Sequence, residues 1–164
     1  MKKQLFVFVL AVGLSACGGG SSNSGTSSSN NSVTGIFLDA PVSGLSYSSV
    51  SKNGKTDSSG QYDCVSGEKV TFKIGALPIG DAVCDSIITP YDLEGTTDIE
   101  DVKSINIVRL LTALDEDSNS NNGISLIAAA QSYSGTSVSF DNQESIINVL
   151  HNIDSSRSLV QYKT

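Results

Sequence analysis

Apolar residues are distributed along the chain in four regimes. They come first as one block, Leu5 to Leu14 (LFVFVLAVGL), and then vanish from Gly18 to Ser32, where charge is absent too. From Val33 to Pro90 they fall in short segments rich in β-branched or aromatic residues: VTGIFLD, LSYSSV, QYDCV, KVTFKIG and AVCDSIIT. Asn53-Gly54, Ser59-Gly60, Ser66-Gly67 and Ile79-Gly80 punctuate these segments as turn signals. Short strands at regular spacing predict a sandwich. Beyond residue 96 the spacing changes. Apolar residues at 99, 102, 105, 108, 111 and 114 recur every three residues, which places them on one helical face. Thr97 with Glu100 reads as the capping box of that helix. A second helix is expected from Asp141, with Glu144 completing its box and Ile146, Ile147, Leu150 and Ile153 facing inward. The expected fold is therefore α+β, mainly β with helices: a small antiparallel β-sandwich followed by two helices packed on it. The divisions are 1–16, a leader; 17–32, a flexible segment; 33–95, the sandwich; and 96–164, a helical portion of the same domain.

The first two regimes change the picture of where the chain resides. Lys2 and Lys3 precede a ten-residue apolar run, too short to cross a hydrocarbon core that takes about 20 residues and suited to the h-region of a secretory signal. Directly after it comes Leu14-Ser15-Ala16-Cys17, which resembles the lipobox of bacterial lipoproteins. The resemblance implies that the Cys17 thiol receives diacylglycerol, that the chain is cut before it, and that the new amine is acylated. Two or more acyl chains give stable membrane anchoring where one is marginal. The Gly/Ser/Asn segment that follows cannot offset its ordering entropy by burial. About fifteen such residues reach on the order of 20 Å, enough to lift a domain clear of the headgroups. Residue 18 is Gly rather than the Asp that resembles an inner-membrane retention signal, so the expected location is the outer membrane, with the periplasmic face and the surface both open.

Charge narrows the partners. The chain carries a net charge of −7, and loss of Lys2 and Lys3 with the leader takes this to −9. An acidic domain without a basic cluster does not suit DNA or RNA, whose binding rests on neutralising phosphates. The chain has no Trp, and only Phe37, Phe72 and Phe140 remain beyond the leader, so aliphatic side chains must build most of the core. With Cys17 taken by lipid, Cys64 and Cys84 are left in an oxidising compartment, where a structural disulfide is expected. A redox or metal pair would call for closer spacing or nearby histidines, and His151 is the single histidine.

Candidate chemistry concentrates in LDEDSNSNNGISL. Asp115, Asp117, Asn119 and Asn121 stand at every second position and offer the hard oxygens that Ca²⁺ prefers. An EF-hand would place Gly at its sixth position and a bidentate Glu at its twelfth; these are Ser120 and Leu126. A looser calcium loop and a solvated Asp/Asn-rich helix terminus turning at Gly123 both fit. Glu116 with Asp117 as an acid/base pair lacks any nucleophile or cleft signal. His151 with Asp154 lacks a nucleophile elbow, which leaves His151 a surface or interface residue. No catalytic residue is assigned.

Two stretches carry a further resemblance. DAPVSGLSY (Asp39 to Tyr47) and TDSSGQY (Thr56 to Tyr62) are similar to the signature of carboxypeptidase-regulatory-like, or prealbumin-like, β-sandwiches. In this turn Asp57 can accept from backbone amides ahead of it and Gly60 can take positive φ. The order DAPVSG, TDSSGQYDC, GEKVTFKIGALPIG, TPYDL, NIVRLLTALDED and NNGISL, from about Gly35 to Leu126, resembles an N-terminal module of lipid-anchored proteobacterial surface proteins. More distantly it is similar to the amino-terminal region of accessory colonization factor D-type lipoproteins, whose peptidase domains lie far downstream of this region. The resemblance implies a non-enzymatic binding or presentation module that meets the membrane through its lipid and takes a protein or glycan partner. A periplasmic accessory or inhibitor of an envelope protein is the alternative, and a stand-alone chain and a truncated relative of a larger protein both remain open.

Overall fold

The computed structural model describes residues 31–159; Cys17 and the segment through residue 30 lie outside them. In chain order the elements are β1 (Ser32–Phe37), β2 (Val42–Ser43), β3 (Ser46–Ser48), β4 (Asn53–Lys55), β5 (Gln61–Val65), β6 (Lys69–Ile74), β7 (Leu77–Val83) and β8 (Ile87–Ile88). Then come α1 (Pro90–Glu94), α2 (Val102–Ala113), β9 (Ile124–Ser125), α3 (Ala128–Gln131) and α4 (Gln143–Ile153). The α+β class expected from the pattern is the class observed. β1 begins at Ser32, which pairs with Val65, so Ser32 belongs to the sheet and not to the segment expected over 17–32.

The sheets run in the orders β5-β1-β8 and β4-β3-β6-β7, with a separate β2-β9 pair. The four-stranded sheet is antiparallel throughout, as expected, whereas β8 joins β1 and β9 joins β2 in parallel, so the three-stranded sheet is mixed. Alternation explains what each strand buries. In β6, Val70, Phe72 and Ile74 point inward with no exposure, while Lys69, Thr71 and Lys73 point out. Phe72 meets Phe37 of β1 at 4.8 Å and Tyr62 of β5 at 5.1 Å, edge on, and Tyr47 of β3 stands 5.8 Å from Tyr62. These rings join the three-stranded and four-stranded sheets face to face, and such pairs add about 0.5–1.5 kcal/mol each beyond burial. The Tyr62 hydroxyl donates to the Asp85 carbonyl at 2.7 Å. Gly35 makes this packing possible: a Cβ there would clash with the Asp85 carbonyl oxygen and sit 2.6 Å from the Tyr62 ring. The expected disulfide is present. Cys64 on β5 bonds to Cys84, just past β7, with Cα atoms 5.8 Å apart and both residues buried.

Several local expectations are corrected. Asn53-Gly54 is not a turn but part of β4; the reversal lies at residues 49–52, closed by the Ser49 N–H donating to the Lys52 carbonyl at 2.7 Å. Ile79-Gly80 lies within β7, at a register shift where Phe72 faces Gly80 and Lys73 faces Pro78. The turn before β7 is at Gly75-Ala76. AVCDSIIT splits into the end of β7 and the short β8. Thr97 and Glu100 do not cap α2. Its N-cap is Asp101, whose carboxylate accepts from the Ser104 N–H at 2.8 Å, and the capping box forms instead at Thr89 and Asp92, ahead of α1. In consequence Ile99 and Val102 stay 73% and 54% exposed. Val108, Leu111 and Leu114 of the expected face are buried, but Ser104, Asn106, Ile107, Arg109 and Leu110 are buried beside them, so the face is wider than one stripe of every third residue. α4 is capped by Asn142, which accepts from the Ser145 N–H, so the Asp141–Glu144 box is not made. On α4, Ile146, Val149 and Leu150 are buried, and Ile147 and Ile153 are half-buried against the core.

Candidate functional site

The Asp/Asn segment begins where α2 runs out. Leu114 is fully buried, and the next residue, Asp115, is a carboxylate with 1% exposure. A buried carboxylate needs donors, since an unpaired one is far more costly than an unpaired neutral group. Asp115 finds them in the backbone: Oδ1 accepts from the Ser125 N–H and Oδ2 from the Asn119 N–H, both at 2.9 Å. The Asn119 N–H is shared with Asp117 Oδ1 at 2.9 Å. Asp117 Oδ2 accepts from the Asn122 side-chain amide at 2.8 Å, and Asn119 Oδ1 from the Asn121 amide at 3.1 Å. Ser118 takes a φ of +59°, the single positive value outside glycine among the described residues. These bonds hold the Asp117 carboxyl below the usual carboxylate range, the Asn122 amide first and the Asn119 N–H next.

The return of the chain fixes the other wall. β9 lies parallel to β2, with Val42 opposite Ile124, and the Ile124 N–H donates to the Pro41 carbonyl at 2.9 Å. The Glu116 N–H donates to the Ser125 carbonyl at 2.8 Å. Between the walls is a cleft of about 220 Å³ lined by Pro41, Ser43, Ser58, the carboxylate run 115–117 and residues 122–125. It is smaller and more polar than a typical small-molecule pocket. From below, Arg157 Nη1 donates to the carbonyls of Ala113 at 2.8 Å and Asp115 at 2.5 Å, which satisfies the open end of α2. Arg157 Nε donates to Asp154 at 3.3 Å, and this carboxyl is held low first by the Ser156 hydroxyl and then by the Ser156 N–H. A second cavity, of about 460 Å³, opens beside Arg157 and Ser118.

Of the four residues singled out as cation ligands, Asp115 and Asp117 converge on the Asn119 N–H, and the Asn121 amide donates to the Asn119 side-chain oxygen. The side-chain oxygens of Asp115, Asp117 and Asn119 accept from protein donors, so a cation would have to displace those bonds. Among the described residues, no group of three or more His, Cys, Asp or Glu side chains is placed to hold a metal. Glu116 is exposed. His151 is exposed on α4, and Asp154 turns to Ser156 and Arg157 instead of pairing with it. Two contributors are not apparent in the local sequence: Arg157, which reaches its carbonyl partners from more than forty residues away, and the DAPVSG segment, which supplies Pro41 and Ser43 to the cleft. No family model, curated protein or solved structure matches the chain.

Proposed function

We propose that the protein is a lipid-anchored module of the outer membrane, held through Cys17, whose folded part binds or presents and carries out no catalysis. One observation carries this reading: Leu14-Ser15-Ala16-Cys17 stands directly behind a basic start and a ten-residue apolar run. A segment free of apolar and charged residues then leads to the folded module, as suits a tether. The disulfide between Cys64 and Cys84 supports an oxidising location. The small acidic cleft beside Asp117 is suited to a cationic side chain or a polar group of a protein or glycan partner. Calcium at Asp115, Asp117, Asn119 and Asn121 is not needed for this reading.

The test is fractionation of cells expressing the full chain. Cys17→Ser is expected to move the protein from the membrane pellet to a soluble or unprocessed form, and unchanged pelleting would sink the anchor. Protease treatment of intact cells then separates surface presentation from a periplasmic accessory role. Cleavage supports the first, and protection until the outer membrane is opened supports the second.

A further inference from the structure

The chain contains two Asn–Gly pairs, Asn53-Gly54 and Asn122-Gly123. We infer that Asn122 is a site of spontaneous deamidation in the folded protein, that the fold protects Asn53 from the same reaction, and that conversion of Asn122 releases the 115–123 loop. The inference is independent of how the chain is anchored. In this reaction the backbone nitrogen of the following residue attacks the asparagine Cγ. A new N–Cγ bond closes a five-membered succinimide, the Cγ–Nδ2 bond breaks, and ammonia leaves with the amide proton. Water then opens the ring at either carbonyl, giving aspartate or isoaspartate. Glycine favours the attack because it has no Cβ to obstruct it and its backbone turns freely.

The two pairs sit in opposite settings. Asn53 and Gly54 are in β4, opposite Ser48 and Tyr47 of β3. The Tyr47 hydroxyl lies over Gly54, 2.8 Å from where a Cβ would stand. An extended, laddered backbone keeps the next nitrogen away from Cγ, so the attack there requires local opening. Asn122 is exposed in a turn. Gly123 has a φ of +101°, and its N–H makes only a long 3.4 Å bond to the Ser120 carbonyl. The Asn122 amide is held at the surface by Asp117 Oδ2.

That contact turns a change at one residue into a change of the loop. Deamidation replaces the donor facing Asp117 with a carboxylate, so an attraction becomes a repulsion between like charges. The isoaspartate product also inserts a carbon into the main chain just ahead of Gly123, while Ile124 beyond it remains bonded to Pro41.

The test ages the folded full-length protein at mildly alkaline pH and locates the products by fragmentation mass spectrometry and isoaspartate labelling. In the folded protein Asn122 is expected to convert at least about tenfold faster than Asn53, in line with local opening being required at one site only. In the chain reduced and unfolded in urea the two should react within about twofold, since glycine follows each, and a gap as large as in the folded protein would overturn the protective role of the fold. Equal rates in the folded protein, or faster conversion of Asn53, would overturn the site assignment. The coupling has its own readout: Asn122→Asp should lower the Tm by about 2–4 °C, and adding Asp117→Asn to it should restore most of the loss. An Asn122→Asp protein that melts with the wild type, or is not rescued, would overturn the loop release.

Discussion

The sandwich and the helical portion are closed by different means. Between the sheets the contacts are aromatic and aliphatic, Phe37, Phe72, Tyr47 and Tyr62, with a disulfide beside them. Around α2 the closing contacts include a set of buried and half-buried polar bonds. Asn106 donates to the Phe140 carbonyl at 2.8 Å, Arg109 to Gln143 at 3.1 Å, and Arg157 to the end of α2, while Asp115 gathers the N–H groups of the loop. Nondirectional burial tolerates small shifts, whereas a buried polar bond fails as soon as one partner goes, because the other is left unsatisfied. The first half should therefore yield to loss of volume or of its cross-link, and the second to single polar atoms.

The largest effect tests the cross-link. Cys64→Ala with Cys84→Ala removes the constraint on a loop of about twenty residues and is expected to cost about 3 kcal/mol, or on the order of 10 °C in Tm. Thermal melts of the double variant check this. A loss smaller than that of the next variant would invert the comparison.

Asp115→Ala should come second, at about 2 kcal/mol, since it strips acceptors from the Asn119 and Ser125 N–H groups. Asp115→Asn keeps one carbonyl acceptor and should lose less. Hydrogen exchange distinguishes the halves: protection should fall at residues 115–126 and hold in β6. Uniform loss across both would show that they open as one unit.

Titration sharpens the contrast. Asp101, Asp117 and Asp154 in the helical portion are held low by hydrogen bonds, chiefly from Ser104, Asn122 and Ser156 respectively. A carboxyl lowered by folding contributes stability above its ordinary range and loses it as pH falls through the lowered value. Glu68, held low by the Ser49 and Ser51 hydroxyls, behaves likewise at the 49–52 turn. Tyr62 has the opposite sign. Burial pushes its phenol from 10.0 up to about 12, so its contribution is complete below pH 10 and is lost as pH rises through 12. Acid should thus loosen the helical caps and the 49–52 turn while the packing around Tyr62 holds, and alkali should loosen that packing while the caps hold. Hydrogen exchange in acid and tyrosine ionisation in alkali provide the measurements, and loss at Tyr62 in acid or at the caps in alkali would refute the assignment.

The smallest effect concerns cations. With the oxygens of Asp115, Asp117 and Asn119 already accepting from protein donors, Ca²⁺ and Mg²⁺ at equal ionic strength should shift the Tm slightly and equally. A calcium-selective rise of about 5 °C, lost in Asp117→Asn, would instead mark ligand-linked stabilisation.

What was legible in the sequence follows the range of the interactions. β5 and β6 were readable because QYDC and KVTFKI alternate, and alternation is local. The turn at Asp57 was readable for the same reason: its Oδ1 accepts from the N–H groups of Ser59 and Gln61, two and four residues on, and Gly60 has a φ of +73°. Thr97–Glu100 misled because the same short pattern fits several starts, and packing chose Asp101. Asn53-Gly54 misled because Glu68 accepts from Ser49 and Ser51 and so fixes the reversal a few residues earlier. At the candidate site the Asp/Asn run was visible, but its orientation was not. Inward-turned Asp115, the reach of Arg157 and the pairing of β2 with β9 are all set by partners distant in the chain.

The pairing of Val42 with Ile124 joins residues about eighty positions apart. A chain emerging amino end first presents Val42 long before its partner exists, and contacts of such separation form late and slowly. The cleft needs residues 122–125 for one wall, so it cannot close before that part of the chain is present. Until then Val42 and Leu45, fully buried in the finished molecule, are open to other chains. A nascent or proteolytically shortened form ending before residue 124 would carry a nearly whole sandwich with one sticky, unfinished margin, the kind of species that chaperones hold or proteases remove.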